Sequence, residues 1–443
     1  MSAMVCSSFD AIRSLQDWLL TNGAQFAKMG SRQRESGEQD LVCRHETKTD
    51  ERLLTLPRKL VMCSDLARES HIGVHIRKSG VRLQSEQTLL AAFMLSELEN
   101  PFSFWGPFLQ ALPGTFDQVP IYFEDHFLEV LQGSRTLQAI LDRKTLIREE
   151  YRKLCRAVPS FARHSLSRFQ WAMTAVDTRC FHLPSRYDEH AVAIAPLMNM
   201  NHSGRAATAY WHYTEASDCI EIRADGTLSA GSQVVLANDA ETQQEFFVRF
   251  GSLSPSKLDV EAKVEMHLDA NDPARWEKAA FLRIRGGPKF TLSFTNYQGI
   301  DKVLTAIRSV TGNALATEAR ISHGNPRDLA GEATAFSLLS ALCREALARF
   351  PRALTSSRKK EIEAAACNPA DDRVRNLIRM RYLEQQVLHR VLAFATLMES
   401  RLASVSSPEA VRSAFTTESP VLQRWHFHWR DRFSTTAVGG SRR

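Results

Sequence analysis

Pro196-Leu197-Met198-Asn199-Met200-Asn201-His202-Ser203 is the stretch on which the reading of this chain turns. A short apolar run from Ala195 to Leu197 leads into an Asn-His pair, and a polar excursion follows. The sequence then reaches Ala230-Gly231-Ser232-Gln233-Val234-Val235-Leu236, a glycine turn entering an apolar strand. It closes on Glu245-Phe246-Phe247-Val248-Arg249-Phe250-Gly251. A lone Asn-His dipeptide reads as a turn. Its place after one apolar run and before the next strand makes it a candidate ligand-binding element instead.

Outward from this stretch, short strand-like runs cover Ala191 to Leu197, Ala207 to Tyr213, Cys219 to Arg223 and Gln233 to Ala237, with Asp225-Gly226 as the expected hairpin-type turn. Helical spacing precedes them. Ile12, Leu15, Trp18 and Leu19 share a face before Asn22-Gly23. Leu89, Leu90, Phe93, Met94 and Leu98 do so before Pro101, and Ile140, Leu146, Tyr151 and Leu154 mark a further helix. Beyond Ser252 the pattern turns helical: Leu377, Met380, Leu383, Val387, Leu388, Val391, Leu392, Ala395 and Met398 define a long amphipathic helix. The tail holds Trp425, His426, Phe427, His428, Trp429, Arg430 and Arg432, which are expected to pack back on the helical bundle. The expected fold class is α+β, a small mainly-β core with a helical insertion followed by an all-α C-terminal domain.

Composition limits the function classes. A chain of 443 residues with 44% hydrophobic content exceeds one ordinary core and suggests two to three domains. A net charge of +6 is mild for this length and is not gathered into a basic run, which argues against nucleic acid as the partner. Eight cysteines stand singly, with no Cys/His spacing that builds a zinc site, so no metal is expected and reduced thiols in the cytoplasm or nucleus are. No apolar run approaches the roughly twenty residues of a membrane span, and no signal-peptide layout is read at the start.

The motifs resemble those of the SET-domain protein methyltransferases of the Rubisco large-subunit and actin-histidine type. Phe9 to Ala24 is similar to that family's opening helix, and Leu53 to Glu69, with Leu56-Pro57-Arg58-Lys59-Leu60, to its strand-loop-helix. Ser103-Phe104-Trp105-Gly106-Pro107, Leu112-Pro113, Phe169-Gln170-Trp171-Ala172 and Thr178-Arg179 are similar to its helical insertion. The resemblance implies a SET domain over 1–255 with the insertion at about 85–185, a helical Rubisco-methyltransferase-like substrate-binding domain over 256–410, and a tail over 411–443.

It also implies a function: transfer of a methyl group from S-adenosyl-L-methionine to a lysine or histidine side chain of a protein substrate docked on the helical domain and the SET cleft. Asn201 and His202 then match the Asn-His pair that holds the cofactor, with Asn199 beside them and Gly37 in the N-terminal cofactor loop. Arg179 matches an arginine near the substrate and cofactor cleft; a buried structural ion pair is the other reading of that residue. The chain departs from the family pattern in three places. No acidic residue precedes the Asn-His pair, since Met198 and Asn199 stand there. Gly37-Glu38-Gln39-Asp40 keeps one glycine of a Gly-x-Gly turn. Asn238 occupies the position of the catalytic tyrosine, and Phe250 that of a second tyrosine in the closing motif. Tyr210 or Tyr213 could supply a hydroxyl from the neighbouring strand. The alternative function is therefore a catalytically inactive SET protein serving as a protein-binding module.

Overall fold

A computed structural model of the protein describes residues 8–33, 39–197, 207–237, 242–254, 259–284, 287–293, 296–311, 329–350, 372–405 and 420–439. Contacts divide the chain into two compact units. One comprises Met1–Phe123, Ile140–Ala240 and Phe246–Ser256, and the other Glu124–Ala139, Glu241–Glu245 and Lys257–Arg443. No helix among the described residues is long and apolar enough to cross a membrane.

The first unit holds strands β1 (Met29–Gln33), β2 (Gln39–Cys43), β3 (Arg52–Pro57), β4 (Met62–Cys63), β5 (Phe181–Pro184), β6 (His190–Ile194), β7 (Ala209–Thr214) and β8 (Cys219–Ala224). They form an antiparallel β1-β2 pair and two three-stranded antiparallel sheets, β3-β8-β7 and β4-β6-β5. In β8 Ile220, Ile222 and Ala224 are buried on one face, while Glu221 on the other, also buried, pairs with Arg223. β6 is buried from Ala191 onward, as a central strand covered on both faces requires. Helix Glu86–Glu99 is apolar nearly all round from Leu89 to Leu95 and is buried over that stretch, packing against helix Leu166–Asp177. Both helices begin on a serine cap, Ser85 accepting from the Thr88 amide and Ser165 from the Arg168 amide.

The β7-β8 hairpin turns without a glycine. Its turn is Glu215–Ser217 followed by Asp218, whose φ of 48° lies in the left-handed region. Asp225-Gly226, expected as a hairpin-type turn, follows β8, but the next run takes its partners from β2 and β7, through Gln233 with Val42 and Leu236 with Ala209, and the Asp225 amide donates to the Thr208 carbonyl. Asp tolerates the left-handed conformation better than most residues, so Asp218 serves without a following glycine.

The second unit is mostly helical, through Gln298–Thr311, Leu329–Ala348, Asp372–Ser404 and Pro420–Gly439. It also carries an antiparallel pair of β9 (Glu261–Glu265) and β10 (Lys289–Ser293), where the helical reading expected no strand. β9 buries Ala262 and Val264 on alternate positions, a run too short to stand out in sequence. Trp425 and Trp429 are buried as expected. Trp425 packs edge-on against Phe394 at 5.5 Å, and Trp429 against Phe336 at 6.0 Å. Glu384, buried in the long helix, accepts from the Ser134 hydroxyl at 2.8 Å and from the Arg135 and Thr136 amides, capping the helix that starts at Arg135. Its carboxyl is pushed up by burial and held down by those donors.

Candidate active site

Several expected site residues, Gly37, Asn199, Asn201, His202 and Asn238, lie outside the described residues. The described elements on either side of them locate the frame that carries them. β6 hands the chain to Ala195, Pro196 and Leu197, and Leu197 takes a φ of 60°, costly for a branched side chain with no local polar partner. The chain is next described at Ala207, ahead of β7, so the Asn-His segment joins the β4-β6-β5 sheet to the β3-β8-β7 sheet.

Residues 230–237 tie this frame together. On one side the Gly231 amide donates to the Cys43 carbonyl at 2.8 Å, the Cys43 amide to Ser232 at 2.9 Å, and the Val234 amide to Leu41 at 2.8 Å. On the other side Thr208 and Ala209 amides both donate to the Val235 carbonyl, at 2.9 and 3.1 Å. The Thr208 hydroxyl adds a second clamp, donating to the Gln233 carbonyl at 2.8 Å and accepting from the Val235 amide at 2.9 Å. Pairing with β2 is antiparallel, so Gln39 and Ala237 sit at the same end of it. The sequence positions next to that end are the N-terminal loop of Gly37 and the segment of Asn238.

Arg179 stands where helix Leu166–Asp177 gives way to β5. The helix is fixed by Trp171, whose Nε1 donates to the Pro113 carbonyl at 2.8 Å beneath the Arg168 guanidinium, 4.3 Å from its ring. Thr178 then donates to the Thr174 carbonyl and accepts from Arg179 Nη1 at 2.8 Å. The Arg179 guanidinium lies 5.5 Å from the Phe116 ring. Among the described residues it meets that hydroxyl and that ring and no carboxylate, and burial alone lowers it to about 10. The structural ion-pair reading has no partner among the described residues. Phe116 belongs to a loop without helical or strand period, and the only sequence signal for this environment was the adjacent Thr178-Arg179 pair.

The closing motif reaches the same loop. Phe250 is buried against Phe246 at 4.8 Å, and Gly251 follows with a φ of 71°. A Cβ on Gly251 would collide with the Gln118 carbonyl oxygen, so glycine is required both for the turn and for the close approach. The turn from Phe116 to Val119 therefore touches Arg179 through Phe116 and the closing motif through Gln118.

Both neighbouring tyrosines carry hydrogen bonds of their own. Tyr210 donates its hydroxyl to Asp50, which raises the phenol, and Tyr213 donates to Asp218 at 2.6 Å while the Arg58 guanidinium lies over its ring. Tyr210, His212, Glu221 and Arg223 form a polar ladder on the sheet surface, where Glu221 is held low by Arg223 and Arg52 against the upward push of burial.

No family model matches the chain. It is 25% identical over 304 residues to the actin-histidine N-methyltransferase of Dasypus novemcinctus, covering 65% of this chain and 50% of that protein. The Homo sapiens protein of the same name is 24% identical over 304 residues, with the same coverage. The chain thus spans about half the length of the curated relatives it matches. Among solved structures it superposes on the SET domain of LSMT bound to lysine and AdoHcy with a TM-score of 0.73 at 19% identity, covering 93% of this chain and 97% of that one. Rubisco LSMT bound to AdoMet gives a TM-score of 0.72 at 19% identity, covering 94% and 99%.

Proposed function

Since the chain carries the SET-domain fold and is a divergent relative of the SET methyltransferases, we propose that it transfers a methyl group from S-adenosyl-L-methionine to a lysine or histidine side chain of a protein. The observation that carries this reading is the buried Arg179 cation with no carboxylate among the described residues. A buried guanidinium left without a counter-ion costs several kcal/mol on the order of a buried charge, and an anionic ligand group would offset that cost. The carboxylate of the cofactor's amino-acid part fits this place, and guanidinium-carboxylate pairing is well suited to it. Asn201 and His202, with Asn199, are assigned to the adenine and amino-acid parts, and Gly37 to the N-terminal side of the same cleft. The helical second unit is assigned to docking the acceptor protein, and the scattered thiols suit a cytoplasmic or nuclear setting.

When bound, S-adenosyl-L-methionine supplies an electrophilic sulfonium methyl. The chain's own part is to align a neutral nitrogen with it for in-line displacement. The nitrogen's lone pair forms the new C–N bond as the C–S pair leaves with sulfur, and the nitrogen's surplus proton goes to solvent. Asn238 can accept from an N–H of the acceptor or donate to it, but it has no acidic phenol. An imidazole, with pKa near 6.5, is already neutral at pH 7, whereas a lysine near 10.4 must first lose a proton, so the asparagine suits histidine better.

Incubation with methyl-tritiated S-adenosyl-L-methionine and a protein extract tests the proposal. Acid hydrolysis should release labelled methylhistidine or methyllysine. A folded sample that binds S-adenosyl-L-homocysteine yet labels nothing supports the second reading, a SET-fold binding module without transfer. That reading is favoured by one observation, that Tyr210 and Tyr213 both donate to carboxylates, taken with the resemblance, which puts Asn238 and Phe250 at the positions of two tyrosines. In that case Asn238→Tyr should create labelling.

A further inference from the structure

A groove of about 570 Å³ opens in the first unit between helices Ser64–Glu69 and His71–Ser79 and the start of helix Glu86–Glu99. Its floor is apolar, with Ile76 and Leu89 buried beneath it and Val81 at its side. The helices meet closely because residue 73 is glycine: a Cβ there would collide with the Ala67 carbonyl oxygen.

One wall is fixed by charge. Arg68 Nη2 donates to Glu86 at 2.6 Å and to Asp188 at 2.6 Å, and its guanidinium lies 5.9 Å from the Tyr187 ring. Tyr187 in turn donates its hydroxyl to Glu69 at 2.8 Å, while Asp65 accepts from the Ser185 hydroxyl at 2.7 Å and from the Arg186 amide at 3.0 Å. Every carboxylate around this wall is therefore occupied. Across the groove Arg77 and Arg82 are exposed and have no carboxylate partner among the described residues. The lining thus holds three arginines against one glutamate, and that glutamate is already paired.

We propose that this groove docks an acidic peptide segment of a partner protein, with one apolar side chain seated over Ile76 and Leu89 and flanking carboxylates on Arg77 and Arg82. The apolar floor selects against a bare phosphate, which needs converging donors where this groove has hydrocarbon. Nucleic acid would need several aromatic faces for stacking, and the groove lining holds a single aromatic ring, Tyr187. Guanidinium forks match carboxylates in bidentate geometry, and the apolar seat fixes the register of the segment. The docking does not depend on methyl transfer.

The test is fluorescence anisotropy of the full chain with a fluorescein-labelled Glu-Glu-Leu-Glu-Glu peptide, compared with Gln-Gln-Leu-Gln-Gln and Glu-Glu-Gly-Glu-Glu peptides. Arg77→Glu with Arg82→Glu should weaken the first peptide by roughly tenfold or more, equivalent to at least one lost charged contact. Arg13→Glu with Arg44→Glu, the same charge change at exposed positions elsewhere in the unit, should leave it bound. Both control peptides should bind less well. Equal loss in the two double variants, undiminished binding of the glycine peptide, or no binding at about 1 mM would each overturn the proposal.

Discussion

Two buried arginines, one in each unit, have opposite surroundings. Arg308, 5% exposed, is gripped by Glu332 through Nε at 2.7 Å and Nη2 at 2.8 Å, and Trp429 Nε1 donates to the same carboxylate at 2.8 Å. Arg179, 9% exposed, meets a threonine hydroxyl and the face of Phe116. The first is a closed structural pair that joins helices Gln298–Thr311, Leu329–Ala348 and Pro420–Gly439. The second has no carboxylate among the described residues, which is the ground for assigning it to an anionic ligand group. A buried charge marks a ligand site when its environment is organised but its counter-charge is missing.

The largest effect should come from opening the closed pair. Glu332→Ala leaves Arg308 buried and uncompensated and should cost about 3–5 kcal/mol in denaturant unfolding of the second unit. A loss under 1 kcal/mol would mean that Arg308 finds water or another partner, and the contrast between the two arginines would weaken.

Acid should also separate the units. Burial, reinforced by Arg401 and Arg430, lowers His426 from 6.5 to about 4. Between those values the unfolded chain takes up a proton that the folded chain refuses, so the stability of the second unit falls as pH drops from about 6.5 to about 4. His426→Phe should flatten that part of the thermal-unfolding profile against pH. An unchanged profile would place the acid sensitivity elsewhere in the unit, His389 being one alternative since burial lowers it too.

Arg179→Met keeps most of the side-chain volume and removes the unpaired charge, so stability should hold to within about 1 kcal/mol or rise slightly. A loss comparable with that of Glu332→Ala would make Arg179 a structural residue like Arg308. Smallest of all, Tyr210→Phe removes an exposed hydroxyl from the Asp50 contact and should shift stability by no more than about 0.5 kcal/mol. Loss of methyl labelling in that variant would show that Tyr210 serves the reaction after all.

Much of the architecture is legible in the sequence because it follows from period and punctuation. Leu89 to Leu98 mark a core helix, and the apolar run from Ala191 marks the central β6. The turn at Asp225-Gly226 is misread as a hairpin because Asp-Gly is a strong local signal, whereas the run that follows takes its partners from β2 and β7. β9 is missed because two inward residues are too few to establish a period. The site is less legible for a different reason. Arg179 can be picked out from its place after Trp171, yet the lack of a carboxylate beside it among the described residues is a property of everything packed around it. Phe116 and Gln118 approach it through a loop whose partners, Arg179 and Gly251, are distant in sequence.

The most direct measurement is calorimetric titration of the wild-type chain and Arg179→Met with S-adenosyl-L-homocysteine and with 5′-methylthioadenosine, which lacks the amino-acid carboxylate. The account predicts that wild type prefers the carboxylate-bearing ligand, and that Arg179→Met weakens that ligand alone, by roughly thirtyfold or more as expected for a lost buried charge pair. Equal weakening of both ligands, or none of either, would contradict the assignment of Arg179 to an anionic ligand group.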